Sequence, residues 1–137
     1  MALAVGDRAE FSMPIGKHHL VSQIFAEEGV GSDMPGVLST AYMIGIMEWG
    51  CLEQMRPHLE DGQVSLGVKI DVTHTAPTLQ GMTMTVTSEV TAVEGRQIEF
   101  KVAMRDEAGE IGEGRHRRAI VDKSRFEDKA AARRADA

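Results

Sequence analysis

The sequence predicts an α+β domain in which an antiparallel sheet wraps around one long buried helix. Two observations lead to this prediction. Residues 39–59 are apolar on nearly every side when they are read with helical periodicity, as expected of a helix covered on most of its surface. Residues 64–75, 83–90, 97–104 and 111–121 then alternate between two faces, with glycine-containing turns at Gly95 and Gly109. Such short links favour antiparallel neighbours.

Composition narrows the class of protein. The 137 residues suit one domain over 1–122, followed by a charged tail over 123–137 that is either a solvated helix or a disordered end. The net charge of −6 argues against nucleic-acid binding, and the single cysteine, Cys51, excludes an internal disulfide. The N-terminal segment has no basic leader, and no apolar run reaches the roughly 20 residues of a membrane span. We therefore expect a cytoplasmic protein without a membrane or nucleic-acid partner.

The N-terminal third precedes the long helix. Alternation predicts a short strand over residues 8–14, and the spacing of four apolar residues predicts a helix over 18–28 (Leu20, Val21, Ile24 and Phe25). Glycines and a proline then indicate a loop over 29–35.

The long helix can be capped by Ser39 or Thr40, and Pro57 marks its end. A helix that is apolar on so many sides needs more cover than one small sheet provides. A partner subunit that continues the sheet would supply it, so we expect a homodimer or a larger assembly.

Glu48 is the only charged residue in the helical stretch AYMIGIMEWGC. An ionised carboxylate among apolar neighbours requires a specific partner or a chemical use. His74 is predicted to share a strand face with Val68, Ile70 and Val72, the face that should meet the helix. Glu48 and His74 could form an acid–base or nucleophile–base pair, or they could neutralise each other as a polar pair of the core.

Thr40 lies eight residues before Glu48, which places the two roughly 12 Å apart along a helix. It can therefore contact a different part of a substrate, meet the other residue's counterpart across a dimer interface, or simply cap the helix. The unpaired N–H groups at the helix start could also polarise a carbonyl oxygen.

Two further positions interrupt the strands. Gly67 lets a ligand lie against the backbone or marks a β-bulge. The segment GEGRHRR places Gly114, His116 and Arg118 on one face and arginines on the other. This basic stretch is either a site for phosphate groups or a solvated strand. Neither the histidines nor the glycines match a metal or dinucleotide motif, and we expect no metal or redox cofactor.

Together these segments resemble the hotdog-fold thioesterases, in particular the fluoroacetyl-CoA thioesterase branch, over about residues 1–122. The resemblance rests on Pro35–Val37–Leu38–Thr40, MIGIMEWGC, SLGVKIDVTHTAPT and GEGRHRRAIVD. Its most specific part is the joint spacing of five residues: Thr40, Glu48, Gly67, His74 and Arg118.

The resemblance implies a hotdog-fold homodimer with active sites at its interface. It assigns catalysis of acyl-CoA hydrolysis to Thr40, Glu48 and His74, and substrate contacts to Gly67 and Arg118. Coenzyme A enters only as part of the substrate, with Arg115, Arg117 and Lys123 as candidates for its phosphates.

Three alternatives bear on this assignment. The loop 27–34 has no aromatic residue, so we expect a small acyl-CoA rather than a specifically fluorinated one. A non-catalytic acyl-CoA-binding protein of the same fold is the alternative function. A hotdog dehydratase ranks below both, because the His/Asp placement of that family is not recognised here.

Overall fold

Five antiparallel strands form one sheet that packs against a central helix. The structure is a computed structural model that describes residues 2–137. Its strands and helices, in chain order, are β1 (Arg8–Pro14), α1 (Thr40–Met55), β2 (Gln63–Val72), β3 (Thr83–Glu94), β4 (Gln97–Asp106), β5 (Gly109–Asp122) and α2 (Lys123–Ala135). The order across the sheet is β1-β3-β4-β5-β2, so β1 and β2 are its edges.

The core lies between α1 and the inner face of the sheet. Helix α1 contributes four fully buried side chains, Met43, Met47, Cys51 and Met55. The strands contribute Met84, Val86, Phe100, Val102, Met104 and Ile111. This interior contains several flexible methionine side chains and few aromatic groups. The predicted architecture of a sheet around one helix is confirmed.

The helix predicted over residues 18–28 is wrong. Two short 3₁₀ turns, Lys17–His19 and Ala26–Glu28, stand there instead. The reason is a pairing with the chain just before α1: Val21 N–H donates to the Val37 carbonyl at 2.8 Å, and Ser39 N–H donates to the His19 carbonyl at 2.9 Å. Because these groups bond to a distant segment, the helical spacing cannot develop into a continuous helix.

The start of α1 agrees with expectation, whereas its end comes earlier than predicted. The helix ends at Met55, and a 3₁₀ turn over Arg56–His58 carries Pro57. At its start the Ser39 hydroxyl accepts the Tyr42 N–H at 3.1 Å, so Ser39 is the cap and Thr40 is the first helical residue.

A β-bulge in β2 corrects the predicted strand faces. The register with β5 shifts between Gly67 and Lys69, which leaves Val68 as the extra residue, 52% exposed. Before the bulge Ser65 is buried, whereas after it Lys69 and Asp71 are exposed. The residues that point inward therefore change from odd to even numbers at Val68. Uninterrupted alternation along the sequence would place Ser65 and Lys69 on the same face, which is not observed.

The chain ends in an exposed helix. Helix α2 follows β5 without a break and has no buried residue, which matches the helical alternative for the tail. Within the described part of the chain, no helix combines the length and the apolar character needed to cross a membrane.

Candidate active site

Thr40 and His74 meet at the start of α1. The Thr40 hydroxyl lies 2.8 Å from Nδ1 of His74, and either atom can donate the hydrogen. His74 follows the end of β2, where its neighbours Thr73 and Thr75 still donate backbone hydrogen bonds to β5. Because Ser39 caps the helix, the Thr40 hydroxyl is free to bind the imidazole. The cap and the site residue are thus adjacent but separate.

Glu48 lies two turns further along the same helix, beside β5. Its Oε1 is 3.3 Å from Nη1 of Arg118 and 3.8 Å from Nε2 of His116. The Glu48 side chain is 39% exposed, whereas those of Arg118 and His116 are almost completely buried. One carboxylate oxygen is therefore held by the protein while the group as a whole remains accessible.

Arg118 is bound on several sides. Its Nε donates to the Ser65 hydroxyl at 2.9 Å, and its Nη2 donates to the Ser65 carbonyl at 2.7 Å. Its Nη1 lies between Glu48 and Nε2 of His116, 3.1 Å from the latter. Burial lowers the pKa of Arg118, and the negative charge of Glu48 opposes that shift. These contacts make Arg118 the fixed partner of the carboxylate.

Gly67 provides the space for Glu48. A β-carbon at position 67 would overlap Oε1 of Glu48 and would lie 3.2 Å from Cε1 of His116. Any larger residue would displace one of these side chains. The lack of a side chain at position 67 thus leaves room for the carboxylate of Glu48. The bulge at Val68 follows immediately.

His116 is the most deeply placed contact of Arg118 in the polar cluster and lies between Arg118 and β2. The residue is 2% exposed, and its Nδ1 lies 2.8 Å from the Lys69 carbonyl. Burial lowers its pKa; the bond to the Lys69 carbonyl raises it, and the charge of Arg118 lowers it further. His116 is therefore predominantly neutral at neutral pH.

One chain brings the predicted site residues together in two groups. The first contains Thr40 and His74, and the second contains Glu48, Gly67 and Arg118. The predicted meeting of Glu48 with His74 does not occur within one chain, because in the described structure each has other partners. The rise of the helix separates the two groups by about 12 Å.

Two members of the second group were missed as site residues by the sequence reasoning. His116 was recognised only as part of a basic stretch, although its spacing of two from Arg118 places both on one strand face. Ser65 falls on the opposite face when alternation is continued without interruption, although Gly67 indicated the β-bulge that the register shift now shows.

Two of the three basic residues considered for phosphate binding form ion pairs with an acidic residue. Arg115 and Arg117 both pair with Glu99, at 3.4 and 3.1 Å, on the outer face of the sheet. Their groove, of about 370 Å³, is lined by three basic and three acidic side chains (Lys69, Arg115, Arg117, Asp71, Glu99 and Glu113). Its charges are balanced, which favours the solvated-strand interpretation.

Cys51 is not placed for chemistry. The thiol is fully buried one turn after Glu48, and burial raises its pKa to about 12. A thiol that stays protonated and inaccessible is a poor nucleophile. Among residues 2–137, no group of three or more His, Cys, Asp and Glu side chains is arranged to hold a metal ion.

Comparison with known proteins identifies the family. The family model for the fluoroacetyl-CoA-specific thioesterase matches residues 21–124. The fluoroacetyl-CoA thioesterase of Streptantibioticus cattleyicolor is 40% identical over 127 residues, which cover 93% of this chain and 91% of that protein. The chain belongs to the fluoroacetyl-CoA-specific thioesterase family.

Solved structures of the family agree with the fold. A structure of the fluoroacetyl-CoA thioesterase superimposes with a TM-score of 0.93 at 39% identity, covering 96% of this chain and 98% of that one. A phenylalanine-to-alanine variant of that enzyme, in complex with fluoroacetate and CoA, gives 0.87 at 40% identity over 90% and 99%. The hotdog fold and the assignment to the thioester hydrolases are confirmed.

Proposed function

We propose that this protein hydrolyses small acyl-CoA thioesters at a site assembled from two copies of the chain. Thr40 and His74 of one protomer would face Glu48, Gly67 and Arg118 of its partner. The observation that carries the proposal is the separation within one chain: two polar groups, each incomplete as an acid–base site, contain Thr40 and Glu48, which lie about 12 Å apart along α1.

The surface around β2 supports a dimer. Strand β2 is an edge of the sheet, and the open edge of a strand can pair with a second chain. Val68 lies on this edge and is 52% exposed. Pairing along β2 would cover apolar surface that one chain leaves in solvent, and it would bring the helices of the two protomers near each other.

The arrangement suits hydrolysis by a positioned carboxylate. The thioester carbonyl would lie at the start of α1, where the N–H groups of Tyr42 and Met43 are taken by Ser39. Those of Thr40 and Ala41 are left for the developing oxyanion. Glu48 then either attacks the carbonyl carbon, which gives a transient anhydride, or removes a proton from the attacking water. His74 delivers a proton to the leaving thiolate as the C–S bond breaks, and Thr40 orients the imidazole.

The products of both routes are the same. Water adds to the acyl carbon, coenzyme A leaves as the thiol with one of the protons of that water, and the acid leaves as a carboxylate with release of the other proton to solvent. Arg118 is the counter-ion of Glu48 in this scheme, and no step requires a metal or redox cofactor.

The acyl group is proposed to be small. A shallow recess of about 260 Å³ beside His74 is formed by Val37, His74, Thr75, Ala76 and Pro77. The relative named as a fluoroacetyl-CoA thioesterase suggests a two-carbon acyl group. Because residues 27–34 contain no aromatic side chain, we propose acceptance of both fluorinated and non-fluorinated short acyl groups.

The test is thiol release from a panel of acyl-CoA esters that includes acetyl, fluoroacetyl and propionyl. Wild type should turn over the short members, and Glu48→Gln and His74→Ala should lose at least about 100-fold in kcat. Circular dichroism and sedimentation would establish that both variants stay folded and keep the assembly of wild type. Full activity in both folded variants would refute the assignment. Thermal stabilisation by acyl-CoA without turnover would instead favour the binding protein.

A further inference from the structure

We infer that His116 is a positioning residue that holds Arg118, and through it the carboxylate of Glu48, in the reactive orientation. The inference rests on the proposed function, since it concerns the same carboxylate. It differs from the proposed function in assigning a role to a buried residue that does not reach the substrate.

The first step is the state of the imidazole. A carbonyl oxygen only accepts hydrogen bonds, so the 2.8 Å contact with the Lys69 carbonyl requires a hydrogen on Nδ1 of His116. In the neutral ring Nε2 is then bare and can accept. Nη1 of Arg118 lies 3.1 Å from it, and a guanidinium can only donate. Both contacts are satisfied by one tautomer of a neutral histidine.

The second step is the effect on Arg118. Ser65 fixes the Nε and Nη2 side of the guanidinium through two hydrogen bonds. His116 fixes Nη1, the nitrogen that also contacts Oε1 of Glu48. The planar fork is therefore held at both ends, and Nη1 is aimed at one oxygen of the carboxylate. Within residues 2–137, the polar contacts of Glu48 are made by Oε1, which leaves Oε2 for water or the thioester.

The third step is the charge of the ring. A protonated His116 would place a second cation 3.8 Å from Oε1 of Glu48, and it would lose the lone pair that accepts from Arg118. The carboxylate would then be bound more tightly to the protein and oriented less well. A neutral His116 avoids both effects.

The bulge explains how the acceptor for His116 arises. The register shift between Gly67 and Lys69 places the missing side chain of Gly67 next to Glu48 and the Lys69 carbonyl next to His116. The bulge in β2 thus makes room for the carboxylate of Glu48. It also orients His116, which holds Arg118.

A double-mutant cycle in the full-length protein tests the inference. His116→Leu removes both hydrogen bonds at similar volume, whereas His116→Gln keeps an acceptor near the position of Nε2. We expect His116→Leu to lower kcat by about 10- to 100-fold with little change in KM, as a displaced catalytic group does. His116→Gln should recover most of that loss. In a Glu48→Gln background, His116→Leu should cause no further loss, because its effect passes through Glu48.

A matched control separates positioning from loss of stability. Phe100 is fully buried directly opposite His116 on β4, and Phe100→Leu should lower the melting temperature without lowering kcat comparably. The inference is overturned if Phe100→Leu loses as much kcat as His116→Leu, or if His116→Leu reduces the residual rate of Glu48→Gln by its full factor.

A spectroscopic readout is independent of turnover. Nitrogen-15 NMR of the imidazoles should show His116 with hydrogen on Nδ1 and a bare Nε2 at neutral pH, and the opposite tautomer or a charged ring would refute the inference. If wild type hydrolyses no thioester, the proposed function fails whatever the tautomer is. If wild type and Glu48→Gln behave as proposed but His116→Leu is fully active, only the role of His116 fails.

Discussion

Gly67 leaves open the space that the carboxylate of Glu48 occupies, although the two residues belong to different elements and are 19 positions apart. A β-carbon there would meet the end of the flexible Glu48 side chain and, at 3.2 Å, Cε1 of His116, but no backbone atom. The chain could accommodate it by turning Glu48 away. The glycine is therefore a requirement of the site more than of the strand.

Gly67→Ala should separate activity from stability. Displacement of Glu48 from Arg118 should lower kcat by about 10- to 100-fold, whereas the free energy of unfolding should change by less than about 1 kcal/mol. Thiol-release kinetics and urea unfolding measure the two quantities. Gly36→Ala is the matched control, since a β-carbon there makes only an ordinary 3.9 Å contact with Leu20. An active Gly67→Ala would show that the position of Glu48 is not critical.

Adjacent hydroxyl residues at the start of α1 should respond differently to mutation. Ser39→Ala removes the cap and should cost about 1 kcal/mol of stability while most of kcat remains. Thr40→Val should lose activity with little loss of stability, because the Thr40 hydroxyl binds His74 and not the helix. Thr40→Ser restores the hydroxyl and should recover activity. Equal loss of kcat in Ser39→Ala and Thr40→Val would contradict this division.

Mixed dimers test the origin of the site residues. One variant carries Thr40→Val with His74→Ala, and the other carries Glu48→Gln. If each site combines two chains, a mixed dimer has one intact site, and random reassociation of equal amounts should give about a quarter of wild-type activity. If each site comes from one chain, mixing restores nothing. Refolding the variants together and separately, with thiol release as the assay, distinguishes the two results.

Stability should fall in mildly acidic solution because His116 is buried in its neutral form. Its pKa in the folded chain lies below the ordinary value of 6.5, chiefly through burial. As the pH drops below 6.5, the unfolded chain takes up a proton that the folded chain does not. Above pH 6.5 this histidine therefore does not reduce the free energy of unfolding. As the pH falls from 6.5 to the lowered pKa, the free energy of unfolding decreases.

The contribution of His116 can be isolated by difference. Besides the Lys69 carbonyl, the charged groups that face it are Arg118 on its own strand and Glu48 on α1. His19 also has a pKa lowered by burial and by His18, so wild type alone is not sufficient. Melting temperatures against pH should show a smaller acid-side decrease in His116→Gln than in wild type. Identical slopes in both proteins would contradict the prediction.

Cys51 should be inert towards thiol reagents in the native protein. Its thiol is fully buried and has a pKa of about 12, so little thiolate forms in mildly alkaline solution. Iodoacetamide should leave both the mass and the hydrolysis rate unchanged, and it should add one group per chain after unfolding in guanidinium chloride. Rapid native labelling with loss of activity would give the thiol a role that its burial does not suggest.

The sequence predicted most of the fold because its strands have strong alternation. The bounds of β1 agree with the predicted residues 8–14, and the first turn contains Gly95 as expected. The second turn is formed by Glu107 and Ala108, and Gly109 is the first residue of β5. The segment 18–28 shows why local pattern is insufficient. Its apolar spacing is helical, but hydrogen bonds to the chain before α1 take precedence over that preference.

Most members of the candidate site were predictable from the sequence, except His116 and Ser65, but their contacts were not. Helical rise alone separated Thr40 from Glu48, and this separation is retained. Sequence reasoning paired Glu48 with His74, whereas within one chain Glu48 contacts Arg118. Alternation through Val68 also placed Ser65, which binds Arg118, on the wrong face. A shift of one residue is enough to exchange the faces of a strand; Gly67 indicated a possible bulge but did not fix which residue would be the extra one.

The bulge at Val68 also determines where the length of β2 can change. An insertion or deletion elsewhere in the strand would turn the side chains between that point and the bulge, or between that point and the strand end, to the opposite face of the sheet. Deletion of Val68 would instead leave Ser65 pointing inward and Lys69 outward, as they do now, in a regular ladder with β5. The shortened strand would keep its buried surface but lose the local geometry around Glu48 and His116. The fold therefore tolerates the loss of Val68, whereas the proposed chemistry depends on that residue.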